Sequence, residues 1–124
     1  MRAIRLQLLT GPLAGSPFEV PADLNPVPLL AFYIQEGWEW KLDVTAATSS
    51  EKKAWLRADF GARIMRALMK GRPVFYNGRV FSSDGTPEEV FKVGQGLEDS
   101  IAADNLMVAI ISDDEKGLIV GVAN

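Results

Sequence analysis

Residues 48–81 constrain the fold more than any other part of the sequence, because they predict a long helix that runs directly into a β-hairpin. Thr48 and Glu51 have the spacing of a capping box, in which the Thr side chain accepts a backbone amide and the Glu side chain reaches back. Gly71 supplies the stop, since glycine tolerates the left-handed backbone that ends many helices. These signals predict a helix over residues 49–70.

Apolar side chains cover most of the circumference of this helix when it is drawn at about 3.6 residues per turn. A helix on one sheet needs a much narrower apolar stripe, so we expect this helix to be covered on more than one side. The cover would be a second layer of the chain or a second copy of the protein. For the second case, the predicted interface residues are Trp55, Met65 and Met69.

The hairpin is predicted from Asn77-Gly78, the favoured pair for a two-residue type I′ turn. Large apolar side chains alternate onto both faces of its strands, and this predicts that both faces are covered. The register that follows pairs Tyr76 with Arg79, Phe75 with Val80 and Val74 with Phe81.

Alternating or continuous apolar segments predict further strands on either side of this stretch, at residues 2–9, 18–20, 38–44, 106–111 and 118–123. The last two are predicted to be paired central strands, covered on both faces. A short helix is predicted at about residues 27–36, where a strand is the alternative. A second short helix is predicted from Thr86 to about Val93, and Gly94 and Gly96 would end it. Residues 97–104 could add another turn or two of helix.

The pattern as a whole is typical of an α+β fold. We expect a mainly antiparallel sheet of about five or six strands packed on one long central helix, with one to three short helices. At 124 residues, the chain is predicted to form a single globular domain, residues 1–124.

Composition narrows the chemistry, because the sequence contains no cysteine and no histidine. Disulfides, thiolate metal sites and cysteine nucleophiles are excluded, and so is the commonest general base. No metal or cofactor is predicted. The N-terminus lacks a signal-peptide core and no apolar run reaches about 18 residues, so we expect a soluble, cytoplasmic protein without a membrane segment.

Charge is distributed unevenly along the chain. Residues 49–81 carry eight Lys and Arg against two acidic residues, whereas residues 82–124 carry two against nine. A candidate ligand site, for a small anion or an acidic protein segment, lies at the end of the helix and in the hairpin: Arg63, Arg66, Lys70, Arg72, Tyr76 and Arg79. The alternative is that these cations pair with the acidic C-terminal third. The net charge of −3 makes duplex nucleic acid an unfavoured partner.

Two further groups have a functional and a structural interpretation. Trp38 and Trp40 could form a stacking platform for a partner, or belong to the core. Residues 113–115, all acidic, could bind a hard cation, or form a solvated turn.

These observations favour a small binding module that self-associates as a dimer. The alternatives are an enzyme that uses carboxylate, tyrosine and arginine chemistry without histidine or cysteine, and a structural or assembly protein of a phage or mobile element.

Overall fold

A computed structural model describes residues 2–123, which form three helices and seven strands in an α+β arrangement, as predicted. The elements are β1 (Ala3–Leu8), β2 (Phe18–Pro21), α1 (Pro26–Glu36), β3 (Trp40–Asp43), α2 (Ser49–Met69), β4 (Val74–Tyr76), β5 (Arg79–Phe81), α3 (Pro87–Asp104), β6 (Val108–Asp114) and β7 (Gly117–Val122). The described residues fall into two compact units, residues 2–62 (unit 1) and 63–123 (unit 2), with the boundary inside α2.

Unit 1 contains a three-stranded antiparallel sheet in the order β2-β1-β3. The central strand β1 alternates strictly: Ile4, Leu6 and Leu8 are buried, while Arg5 and Gln7 lie on the opposite face. This is the half-buried strand that the sequence pattern predicts.

The two tryptophans buried in unit 1 have their indole N–H groups satisfied. Trp55 in α2 donates to the backbone oxygen of Ala22 at 3.0 Å, and Trp40 in β3 donates to Asp59 Oδ1 at 2.7 Å. Both side chains are almost fully buried. Since a buried polar group without a partner is costly, these two bonds allow large amphipathic rings to fill the core.

The predicted starts of α2 and α1 are confirmed. The capping box of α2 is present, because Thr48 N donates to Glu51 Oε1 at 2.9 Å and Glu51 N donates to Thr48 Oγ1 at 3.3 Å. At the start of α1, Asn25 Oδ1 accepts Val27 N at 3.1 Å, and this segment is helical rather than a strand.

Unit 2 contains a four-stranded sheet in the order β5-β4-β7-β6. The β4–β5 hairpin has the predicted register, and positive φ values at Asn77 (49°) and Gly78 (76°) form its turn. Strands β4 and β7 pair in parallel, while β6 and β7 pair antiparallel with a bulge at Ile111.

The prediction of one five- or six-stranded sheet on the central helix was wrong, because the seven strands form two separate sheets. Alternation fixes which side chains share a face, but not which strands pair. Helix α2 contributes to both units. Trp55 and Ala62 belong to the core of unit 1, and Ile64 and Leu68 are buried residues of the part of α2 that belongs to unit 2. The apolar surface summed over the whole of α2 is therefore wider than the surface that either half of the helix needs for packing in its own unit.

The predicted end of α3 at Gly94 and Gly96 was also wrong, since the helix continues to Asp104. Gly94 is buried where α3 approaches α2, and a Cβ at this position would lie 3.3 Å from Met65 Sδ. The glycine serves close helix packing here. The helix ends instead at Asn105, which adopts the left-handed conformation with φ 52°.

Within one copy of the chain, the unit 2 sheet is buried on one face only, so the cover predicted for the second face of the hairpin and of the last two strands stays a prediction. The prediction that the last two strands are both central is confirmed for β7 and wrong for β6, which lies at the edge of the sheet. Val74, Tyr76, Leu118 and Val120 are buried on one face, which we call the inner face. Their neighbours along the strands point to the other side, which remains exposed and which we call the outward face.

Candidate functional site

The two helical arginines of the predicted ligand group bind one carboxylate of unit 2. Asp113 Oδ2 accepts from Arg66 NH2 at 2.6 Å and from Arg63 NH1 at 3.0 Å. The side chains of Arg66 and Asp113 are only 5% and 10% exposed. A pair this well shielded holds its geometry far more firmly than a surface ion pair does.

The hairpin members of the group bind a second carboxylate, Asp104 at the end of α3. Its Oδ2 accepts from Tyr76 Oη at 2.8 Å, from Arg79 NH2 at 2.6 Å and from Asn77 Nδ2 at 3.4 Å. The Arg79 guanidinium also lies 5.3 Å from the centre of the Tyr76 ring. This network joins the hairpin turn to the C-terminal end of α3.

The network changes the acidity of two of its members. The hydrogen bond from Tyr76, aided by Arg79, holds the pKa of Asp104 below its ordinary value. Burial, with the hydrogen bond to Asp104, raises the pKa of Tyr76 above its ordinary value. Tyr76 therefore stays protonated at neutral pH and serves as a hydrogen-bond donor to the Asp104 carboxylate.

Four of the six predicted ligand residues are thus bonded to two aspartates of the acidic C-terminal third, as in the alternative interpretation of the charge asymmetry. The other two, Lys70 and Arg72, lie where α2 ends, and their backbone amides donate to Arg66 O and Ala67 O. The anion site remains a prediction. An anion that binds Arg63, Arg66 or Arg79 would have to compete with Asp113 or Asp104.

The three predicted interface residues lie in different surroundings. Trp55 is 0% exposed in the core of unit 1 and has no surface to offer a partner. Met65 is partly buried beside Gly94, while Met69 is 42% exposed. Of the three, only Met69 is accessible to a large partner.

A row of paired apolar side chains crosses the outward face of unit 2. Val80, Phe75 and Ile119 are direct cross-strand neighbours on β5, β4 and β7, and they are 61%, 39% and 44% exposed. Ile111, the bulged residue of β6, extends this row over Gly121 and is 63% exposed. By register, the only charged strand residue on the outward face is Asp114, at its rim.

Sequence reasoning identified the composition of this face but not its exposure. The hairpin and β7 show large apolar residues at successive positions, and that pattern predicts two apolar faces. Whether an apolar face is covered depends on contacts between distant segments, and the sequence pattern carries no signal for them.

The remaining candidates in unit 1 are an aromatic cluster with a structural role and a shallow groove whose lining contains two cations and one carboxylate. Trp40 is buried and Trp38 packs edge-on against Phe32 with ring centres 5.6 Å apart, so both belong to an aromatic cluster at the core. A groove of about 220 Å³ crosses the solvent-facing side of β1 and β3. Its lining residues are Arg5, Gln7, Pro17, Lys41, Leu42 and Asp43.

Within residues 2–123, no group of three or more carboxylates is placed to hold a metal ion. No helix in the same range combines the length and the apolar character needed to cross a membrane.

Comparison with known proteins does not extend these observations: no family model matches the chain, and no curated protein or solved structure shows significant similarity to it.

Proposed function

We propose that this protein is a small homodimeric binding module, and that the outward face of unit 2 packs against the same face of a second copy. The observation that carries the proposal is the exposed, uncharged row formed by Val80, Phe75, Ile119 and Ile111. Apolar patches of about 300–600 Å² are often functional in monomeric proteins, and contact with another protein is one such function.

The chemistry of the face favours a second copy over a charged ligand. Its centre carries no charged side chain, so it offers nothing to recognise a phosphate, a nucleic acid or an acidic peptide. Two sheets pack well face to face when both present apolar side chains, and two-fold dimers with self-complementary surfaces are the commonest protein oligomers. Three cations elsewhere in unit 2, Arg63, Arg66 and Arg79, bind aspartates of the chain itself.

The size of the face sets the expected strength. Four strands spaced ~4.8 Å apart, with ~3.3 Å per residue, give a face on the order of 300 Å². A standard stable interface buries roughly 800 Å² on each partner, so this face alone would support a weak dimer. We therefore expect a monomer–dimer equilibrium that shifts across the micromolar range.

Sedimentation equilibrium from tens to hundreds of micromolar tests the proposal. The wild-type protein should shift from monomer towards dimer, and Ile119→Lys should remain monomeric because it places a charge at the centre of the interface. Leu56→Lys is the matched control: Leu56 is also an exposed aliphatic residue, 51% exposed, but it lies on α2 in unit 1. A monomeric wild type over the whole range would refute the proposal, as would equal dimerisation of Ile119→Lys.

A further inference from the structure

The edges of the two sheets differ in how they are protected against additional strands. Natural proteins shield an edge by keeping it short, or by placing proline or lysine on it. Strand β2 has four residues and is bounded by Pro17 and Pro21, and β3 has four residues including Lys41. Strand β5 has three residues and lies near α3.

Strand β6 is the exception among these edges. It has seven residues, contains neither proline nor lysine, and pairs with β7 alone. Its protective features are the bulge at Ile111 and the charged pair Asp113 and Asp114 beyond it, which limit the regular, uncharged part of the edge to residues 108–110. The apolar side chains of Met107 and Ile111 flank this part and are 79% and 63% exposed.

The backbone of β6 directs hydrogen-bonding groups towards this open side. Met107 O accepts from Ala123 N at 2.7 Å, so the polar groups of Met107 point towards the β7 side. In an antiparallel ladder, successive residues point alternately to the two sides. Val108 and Ile110 therefore present their N–H and C=O groups to the open edge.

We propose that the β6 edge is a binding site for an extended segment of another protein, which adds to the sheet as a fifth, antiparallel strand. Main-chain bonds to Val108 and Ile110 would hold the segment, and its apolar side chains would lie beside Met107 and Ile111. An antiparallel segment brings its N-terminal end towards the exposed Asp114 and Glu115. The segment that fits best is therefore apolar in its C-terminal half and basic at its N-terminal end.

Charge also distinguishes this ligand from a second copy of β6. Residues 108–114 of a second copy contain Asp113 and Asp114 and no Lys or Arg. A second β6 therefore lacks the basic end that would complement Asp114 and Glu115. Strand addition does not require the dimer through the outward face, so the two proposals can fail independently.

Titration of the ¹⁵N-labelled protein with a synthetic peptide, acetyl-Lys-Lys-Thr-Val-Thr-Val-Thr-Val-amide, tests the site by NMR. We expect saturable binding, with the amides of Val108 and Ile110 gaining protection from hydrogen exchange while the amide of Ala109 does not. The same peptide N-methylated through its last four residues should not bind, because it keeps the side chains but lacks the donors. A peptide with two glutamates in place of the lysines should bind more weakly.

Val108→Pro provides a test on the protein side. Proline is tolerated on an edge strand where the lost N–H faces outward, so the variant should fold and bind the peptide about fivefold more weakly, as expected for one lost main-chain bond.

Equal binding of the N-methylated peptide would overturn the proposal, and so would unchanged exchange at Val108 and Ile110. Protection of these amides on raising the protein concentration alone would identify a second copy as the occupant and would also overturn it. Sedimentation without peptide reports separately on the proposed dimer.

Discussion

Replacing Asp113 by alanine should destabilise unit 2 by about 3 kcal/mol, because it removes the carboxylate that binds two shielded arginines. Asp113 lies 2.6 Å from Arg66 and 3.0 Å from Arg63, and the three side chains are 10%, 5% and 19% exposed. Breaking a buried ion pair by removing one partner costs about 3–5 kcal/mol. The lower end applies here, since Arg63 reaches solvent and both arginines have further interactions.

The readout of this experiment must report on unit 2. All three tryptophans, at positions 38, 40 and 55, lie in unit 1, so tryptophan fluorescence would follow the wrong unit. Urea unfolding followed by far-ultraviolet circular dichroism, with amide exchange of Leu118 and Val120 in the neighbouring strand, gives the required free energy. Asp114→Ala is the matched control, because Asp114 is exposed and its side chain accepts a bond from Lys116 N in the turn.

A loss below about 1 kcal/mol for Asp113→Ala, or a loss equal to that of Asp114→Ala, would contradict this reasoning. It would mean that the arginine–aspartate cluster behaves as a surface ion pair, and that the charge asymmetry of the chain does not stabilise the fold.

Three further perturbations test other parts of the structure. Gly94→Leu should lose about 2 kcal/mol by overpacking against α2, whereas Gly94→Ala should be nearly neutral, because helix propensity offsets the tight contact; thermal unfolding distinguishes the two. Tyr76→Phe should cost about 1.5 kcal/mol in urea unfolding, because it removes the buried hydroxyl that donates to the Asp104 carboxylate, and a cost near zero would contradict the network. The hydrogen bond from Arg2, with those from Thr48, lowers the pKa of Glu51 to about 2 from its ordinary 4.5. The difference in unfolding free energy between wild type and Glu51→Gln should therefore be full above pH 4.5 and disappear as the pH falls towards 2. A difference that does not change with pH would exclude this role.

Local chemistry was enough to predict several elements from the sequence. The capping box at Thr48 and Glu51 and the Asn77-Gly78 turn involve residues at most three positions apart, and both have the predicted geometry. The alternation of β1 likewise placed Leu6 in the core. In each case a short segment has one favourable conformation whatever surrounds it.

Elements that depend on distant contacts were not predicted. The continuation of α3 through Gly94 requires Met65 and Leu68 to lie opposite it, and the parallel pairing of β4 with β7 joins segments separated by all of α3. The burial of Trp55, predicted to lie at an interface, depends on the backbone of Ala22. The sequence pattern predicts which face of each element is apolar, but it does not predict which other segment packs against that face.

The candidate site divides in the same way. Charge counts identified the basic group, but the bonds to Asp104 and Asp113 come from positions 25 to 50 residues away in the chain. The outward face was visible as apolar residues such as Phe75 and Ile119, and only the fold distinguishes an exposed face from a buried one.

The most direct test of the central proposal measures whether the outward face itself becomes covered. Methyl NMR with a soluble gadolinium chelate reports the solvent exposure of individual side chains. We predict that paramagnetic relaxation of the Ile119 and Ile111 methyl groups falls as the protein concentration rises through the micromolar range, while that of Leu56 stays constant. Relaxation of Ile119 that is independent of protein concentration would contradict a dimer through this face.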